Sequence, residues 1–284
     1  MNHAQLRAFH AVANSGGFTR AAAALHVTQP TLSGQVRALE ESYGVKLFDR
    51  RGRKVAPTEL GRELLDLTRR LFALESEVEH LLSAARGLAR GHLRIGADAP
   101  YHVTGALSTF TQRYPGIRLS LAVGNSAQLA RDLLEHKIDV AVLANIGGDP
   151  RFFAKALSRD RLVAFVAKTH EWARRRRLDL VELARQRLVL REQGSATRRI
   201  FETAMAHRGL VLGEVLDMNS REAVRETVAA GLGIGVVSAS EFGNDPRLSP
   251  IQITGEDLAM TEYAVCLGEK RNLRLVRAFL EVVG

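Results

Sequence analysis

The chain has little cysteine: Cys266 is the only one in 284 residues. No disulfide can close within it, and no zinc site can be built on cysteine. Its nine histidines include no i,i+4 pair and no acidic zinc helix, so a metal enzyme is not expected. No G-x-S-x-G elbow is present, which removes support for a hydrolase triad. Gly231–Leu232–Gly233–Ile234–Gly235 has the glycine density of a dinucleotide fingerprint but the wrong order, because it follows a helical pattern and enters a strand. It reads as a helix C-cap and tight turn. No catalytic residue, cofactor or metal is therefore assigned, and the chain is not expected to be an enzyme. The N-terminus lacks an apolar signal core, and no apolar run approaches the roughly eighteen residues of a membrane span. A reducing, soluble, cytoplasmic setting without membrane contact is the simplest expectation.

What is present points to DNA. The hydrophobic content of 46% is ample for a packed core, and the length allows one or two domains plus a connector. The formal charge of +9 fits a nucleic-acid partner, although charge alone also serves solubility. From Phe18 to Phe48 two short helical patterns meet across a tight turn. Phe18, Ala21, Ala22 and Leu25 share one face, and His26–Val27 interrupt it. Thr28 is a good N-cap, and Pro30 falls in the first turn, where a missing N–H costs little. Leu32, Val36 and Leu39 give the second helix its buried stripe. Pro30, Thr31, Ser33, Gly34 and Arg37 project to the other side. That side is small and hydroxylated, with one long cation, and suits a major groove. Asp49, Arg50, Arg51, Gly52, Arg53 and Lys54 follow, a Gly-centred cationic turn suited to phosphate or minor-groove contact. By itself such a turn is more often a solvated charge run.

The segment LRAFHAVANSGGFTRAAAALHVTQPTLSGQVRALEESYGVKLFDRRGRKVAPTELG resembles the DNA-binding domain of LysR-type transcriptional regulators, and the resemblance continues to the C-terminus. It implies α/β architecture with an N-terminal winged helix-turn-helix at 1–57, a linker helix at 58–88 and a two-lobed effector domain at 91–284. That domain is similar to periplasmic binding proteins, with lobe 1 at 91–163 plus 268–284 and lobe 2 at 164–267. DNA contacts are expected from Thr28, Gln29, Pro30, Thr31, Ser33, Arg37, Arg51, Arg53 and Lys54. Gly34 is the one departure, because the family carries a longer polar side chain there. The implied partners are double-stranded promoter DNA, a small anionic effector and a second copy of the chain, with a homotetramer built through the effector domains. RNA polymerase is left open as a further partner.

After Thr58, Leu60, Leu64, Leu67, Leu71, Leu74, Val78 and Leu81 alternate spacings of four and three, and Ala85 and Leu88 extend them. No Gly or Pro interrupts the run between Arg62 and Arg86. An apolar seam this narrow suits a dimeric coiled coil better than a globular helix. Beyond Gly91, short apolar runs alternate with helical patterns. Strands are expected at 93–96, 117–123, 138–143, 162–166, 188–190, 215–216, 235–237 and 263–267. Arg174 to Arg177 reads as a solvated helix face.

Ligands of open α/β sheets bind beyond the carboxyl ends of strands, where helix N-termini converge. Asp98, Tyr101, His102, Asn125, Ser126, Ser195, Thr197, Arg198, Ser220 and Arg221 fall there. Singly, Ser126, Thr197 and Ser220 are as well explained as helix caps. Together with Arg191 they make a cradle for a phosphonate or carboxylate. GADAPYHV, GNSAQ, GSATRRIFE and SREAVRETVAAGLGIGVVS resemble regulators of aminoethylphosphonate catabolism. That resemblance implies a zwitterionic effector whose amine would meet Asp98. The alternatives are a carboxylate or amino-acid effector, or a binding protein without DNA function.

Overall fold

The computed structural model describes residues 1–49, 55–84, 91–146 and 148–284. The chain divides into two compact units. The N-terminal unit starts with α1 (His3–Ser15), α2 (Phe18–Ala24) and α3 (Gln29–Tyr43), followed by β1 (Phe48–Asp49), β2 (Ala56–Pro57) and α4 (Glu59–Ala84). Asn2 caps α1 through the Gln5 N–H, Thr28 caps α3, and Thr58 accepts from the Gly61 N–H at 3.0 Å to start α4. Phe9, Val12, Ala21, Leu32, Val36, Leu47 and Phe48 fill the core between the three short helices and the hairpin. The hairpin pairs Phe48 with Pro57 and Asp49 with Ala56. Gly61 is required where α4 passes the hairpin, because a Cβ there would lie 2.2 Å from the Leu47 carbonyl oxygen.

Helix α4 carries two apolar stripes. Leu65 and Ala73 are buried in this unit, and Thr68 Oγ1 lies 3.0 Å from His10 Nδ1 of α1. The expected seam is the other stripe: Leu67, Leu71, Leu74 and Val78 are 59%, 41%, 59% and 55% exposed. Side-chain placement at Leu81, and Ala85 and Leu88 altogether, lie outside the described residues.

The C-terminal unit is built on one long, mixed sheet. Its elements run β3 (Gly91–Ala97), α5 (Thr104–Arg113), β4 (Ile117–Val123), α6 (Ser126–Leu134), β5 (Val140–Ala144), β6 (Phe152–Ala167), β7 (Arg177–Asp179) and α7 (Leu180–Ala184). They continue with β8 (Leu188–Arg191), α8 (Ala196–His207), β9 (Val215–Met218), α9 (Arg221–Ala229), β10 (Ile234–Ser238) and α10 (Ala239–Phe242). β11 (Leu248–Thr254), β12 (Ala259–Leu267) and α11 (Arg274–Val282) complete the unit. The strand order is β4-β3-β5-β12-β6-β10-β8-β9, with β11 on β6 and β7.

Strand β6 makes this sheet two lobes. Its first part pairs with β12 through Arg161, and its last part pairs with β10 and β11 from Leu162 onward. Each lobe then has its own core, Leu93, Ile95, Phe110, Val140, Cys266 and Phe279 in the first, and Leu188, Leu190, Phe201, Met205 and Ile234 in the second.

Three expectations change. Lobe 1 takes back the chain at Ala259 rather than at 268, because β12 lies antiparallel between β5 and β6. Polar residues such as Lys155, Arg159 and Asp160 hide the first half of β6 from an apolar-run reading, and Pro250 hides β11. Arg174 to Arg177 is no helix face: it spans the end of the short helix Glu171–Arg174, a turn and the start of β7. Arg175 there stacks 5.1 Å over Trp172 and pairs with Glu182 at 2.8 Å.

Candidate functional site

The outer face of α3 is the first surface that gathers expected residues. With Leu32, Val36 and Leu39 turned into the core, Gln29, Pro30, Thr31, Gly34 and Arg37 are exposed and Ser33 is half-buried. Thr28 is spent on the helix start, its Oγ1 accepting from the Thr31 N–H at 3.3 Å. Arg37 donates to Glu41 at 2.7 Å along the surface. Such an exposed pair is worth little, so a phosphate can replace the carboxylate. On the inner side of the same helix, Glu40 is buried and its Oε1 accepts from the Leu47 N–H at 2.7 Å and lies 3.4 Å from the Phe48 N–H. Helix α3 thus holds the first strand of the hairpin. Arg51, Arg53 and Lys54 lie outside the described residues.

The second surface is a cleft between the lobes of the C-terminal unit. Asp98, Asn125, Ser126 and Met260 of lobe 1 face Arg191, Ser195, Thr197 and Arg221 of lobe 2 around a tightly closed cavity. Arg191, Thr197 and Arg221 also border a neighbouring cavity of about 20 Å³ with Phe165, Val224 and Glu241. The loops that bear these residues follow β3, β4, β8 and β9, so the strand ends do converge as expected.

Each helix start does a different job. Asn125, not Ser126, caps α6, its Oδ1 accepting from the Gln128 N–H at 2.9 Å. Ser126 sits one position later and donates to Asp98 Oδ2 at 2.7 Å. Ser220 caps α9 through the Ala223 N–H at 3.1 Å and lines neither cavity. Ser195 precedes α8 and makes no side-chain cap. The buried hydroxyls of Ser195 and Thr197 border the cavity instead. The first turn of α8 therefore offers backbone donors and two hydroxyls to the cleft, with the partial positive charge of a helix start.

Two guanidinium groups stand beside it, Arg191 buried and Arg221 half-buried. Arg191 donates to both oxygens of Glu192, at 2.8 and 2.9 Å. Burial works against ionisation of Glu192, but Arg191 outweighs it and holds its carboxyl below the usual range. Arg221 donates from Nε to Glu241 at 2.5 Å and from Nη1 to the Asp98 carbonyl. Asp98 is buried, and its Oδ2 also accepts from the Ala144 N–H at 2.9 Å while its Oδ1 has no partner. Several bonds cross the cleft: Asn125 Nδ2 to Glu192 at 3.2 Å, the Ala127 N–H to the Gly194 carbonyl at 3.2 Å, and Arg221 to Asp98.

Not every expected residue joins this cleft. Arg198 turns away, donating to Glu202 at 2.7 Å, to the Arg191 carbonyl at 2.8 Å and to Asp217. Tyr101 is 52% exposed and stacks on His102, with ring centroids 4.2 Å apart. His102 reaches Glu241 at 3.3 Å and Glu262 at 3.6 Å rather than the anion cradle. Glu192, Glu241, Glu262 and Met260 carried no sequence signal, because none sits in a motif or at a helix start that the reading had marked.

Comparison with known proteins places both units in one family. A family model described as "Bacterial regulatory helix-turn-helix protein, lysR family" matches residues 3–62, and "LysR substrate binding domain" matches 86–284. The RuBisCO operon transcriptional regulator of Allochromatium vinosum is 36% identical over 98% of this chain and 94% of its own. The transcriptional activator CmpR of Synechocystis is 30% identical over 98% and 93%. Among solved structures, full-length CbnR complexed with its target DNA has a TM-score of 0.70 at 23% identity, covering 100% of this chain and 99% of that one. No helix of the described residues is long and apolar enough to cross a membrane.

Proposed function

We infer the effector and the DNA contacts from one premise: the chain belongs to the LysR family of transcriptional regulators. It is a DNA-binding regulator and not an enzyme, as its relatives are. Its effector is a small anion with a tetrahedral or carboxylate head group, bound between the lobes. The observation that carries this reading is the uncapped first turn of α8, whose Ser195 and Thr197 hydroxyls face the cavity beside Arg191 and Arg221. An arriving anion would share both guanidinium groups with Glu192 and Glu241 and take its remaining hydrogen bonds from the helix end.

The relatives' names concern the RuBisCO operon, which makes promoters of that kind the first to test. The aminoethylphosphonate reading rests on a separate observation, the buried and unpartnered Oδ1 of Asp98, which an ammonium group would satisfy. Calorimetry with aminoethylphosphonate, a phosphonate lacking the amine, and 2-PG, which is bound in a solved CcmR regulatory domain of Synechocystis, separates these. Heat from the first alone, lost in Asp98→Asn, supports the zwitterion. Equal binding of all three makes Asp98 a structural residue. No binding of any phosphorus anion sinks the cradle assignment.

On DNA, Gln29, Pro30, Thr31, Ser33 and Arg37 read the major groove, with Thr28 setting the helix start. Arg51, Arg53 and Lys54 contact the backbone. The chain works as a dimer through α4, and as a tetramer if the effector domains also pair. Arg51→Ala and Arg53→Ala should each weaken binding to every sequence and reduce the salt slope by about one unit. A mobility-shift series across salt measures this, and an unchanged slope in both variants removes the wing from the interface.

A further inference from the structure

Beside the anion cleft lies a charge cluster that the effector reading uses only in part. Asp98, Glu241 and Glu262 are all buried, and Arg221 is the guanidinium that faces them. Three carboxyl groups thus gather beside one guanidinium. Buried charge of that kind has to be neutralised by protons or by a cation. Glu262 is 2% exposed, and neither of its carboxylate oxygens has a hydrogen-bond partner.

The spacing of the cluster suits a metal ion. His102 Nε2 is 3.3 Å from Glu241 Oε1 and 3.6 Å from Glu262 Oε1, and the three ligand atoms lie within 4.8 Å of one another. Ligands held about 2.0–2.2 Å from a tetrahedral ion are about 3.3–3.6 Å apart. Arg221 Nε grips Glu241 Oε2 at 2.5 Å, which orients the carboxylate with Oε1 toward His102, although Arg221 Nη2 also lies 3.2 Å from that oxygen.

We propose that His102, Glu241 and Glu262 form a divalent-cation site joining the two lobes of the effector domain. One imidazole and two carboxylates select Zn²⁺ or Mn²⁺ over softer or harder ions. His102, at the end of the turn Pro100–His102, and Glu262, on β12, belong to lobe 1, while Glu241, on α10, belongs to lobe 2. An ion bound by all three would add a link between the lobes beside the anion cleft.

The test uses the full chain, stripped with a chelator, loaded separately with Zn²⁺ and Mn²⁺, desalted, and assayed for metal by mass spectrometry. Wild type should retain one ion per chain and melt at a higher temperature with metal than without. Glu262→Gln and His102→Gln should each weaken binding by at least about tenfold and lose the metal-dependent rise in melting temperature, with unchanged circular dichroism. Equal retention in wild type and both variants would place the ion elsewhere and overturn the assignment. So would a folded wild type that retains none, or a Glu262→Gln variant that melts higher while wild type ignores metal, as a buried proton predicts. If Glu262→Gln does not fold, His102→Gln and wild-type retention carry the same decision.

Discussion

At the scale of single residues, a serine before a helix either caps it or is left for something else, and this cleft holds both kinds. Ser220 caps α9, so Ser220→Ala should cost about 1 kcal/mol of stability and leave anion affinity unchanged. Ser195 caps nothing, so Ser195→Ala should leave the melting temperature nearly unchanged. It should weaken the anion by about 1–3 kcal/mol, roughly tenfold to hundredfold. Melting curves and calorimetry on the two variants decide this, and equal effects on both readouts would refute the distinction. Lys270 is the other informative residue. It is 2% exposed, and its Nζ lies 3.2 Å from Asp139 Oδ1, which also accepts from Arg94 at 2.7 Å. Burial raises Asp139, but the Arg94 hydrogen bonds and the Arg94 and Lys270 charges outweigh it, so its carboxyl sits below the usual range. A depressed carboxylate stabilises the fold above its unfolded value near 3.9 and stops doing so as pH falls through the folded value. Asp139→Asn should therefore remove stability at neutral pH, about 3–5 kcal/mol with Lys270 left unpaired. The gap from wild type should narrow as pH drops below 4. Urea melts at pH 7 and pH 3 measure both, and a pH-independent gap would exclude ionisation as its source.

At the scale of elements, α4 shows what a sequence pattern can and cannot say. The spacing of Leu60 to Val78 was legible because a seam repeats, and a repeat needs no knowledge of neighbours. The second stripe on the same helix, Leu65 and Ala73, was not read, because its meaning comes from the helices it covers. The helix starts were legible for the same local reason, as at Thr28 and Ser220, which cap α3 and α9. Which hydroxyl caps and which faces the cavity was not, since Asn125 took the cap that Ser126 was expected to fill. Glu241 and Glu262 meet His102 across 139 and 160 residues of chain, and no local signal reports that. The seam itself makes a prediction. Leu71 and Leu74, 41% and 59% exposed in the single chain, should be covered by a second copy. Leu71→Asp/Leu74→Asp puts charge into that contact and should lower the sedimentation mass of the full chain. Because the two side chains are already exposed, the melting temperature of the isolated subunit should barely move. An unchanged mass would place the dimer contact elsewhere.

At the scale of the whole molecule, an effector can act on DNA only through a difference in affinity between two states of the protein. The cleft supplies a candidate for that difference. Bonds from Asn125 to Glu192, from Ala127 to Gly194 and from Arg221 to Asp98 hold the lobes closed, and each joins residues that the anion would touch or adjoin. Gly194 is where this closure is tightest. Its φ is +95°, which other residues rarely adopt, and a Cβ there would lie 2.9 Å from Asn125 Oδ1. Gly194→Ala should push the lobes apart, weakening the anion without removing any of its donors. If closure is what the DNA-binding unit senses, the same variant should also lose the effect of the anion on DNA affinity. Linkage adds a quantitative demand. The factor by which the anion changes DNA affinity must equal the factor by which DNA changes anion affinity. Titrating each ligand in the presence and absence of the other measures both factors. In wild type they should be equal and different from one, and in Gly194→Ala both should move toward one together. A variant that binds the anion weakly yet keeps the full effect on DNA, once saturated, would show that closure at Gly194 is not the signal.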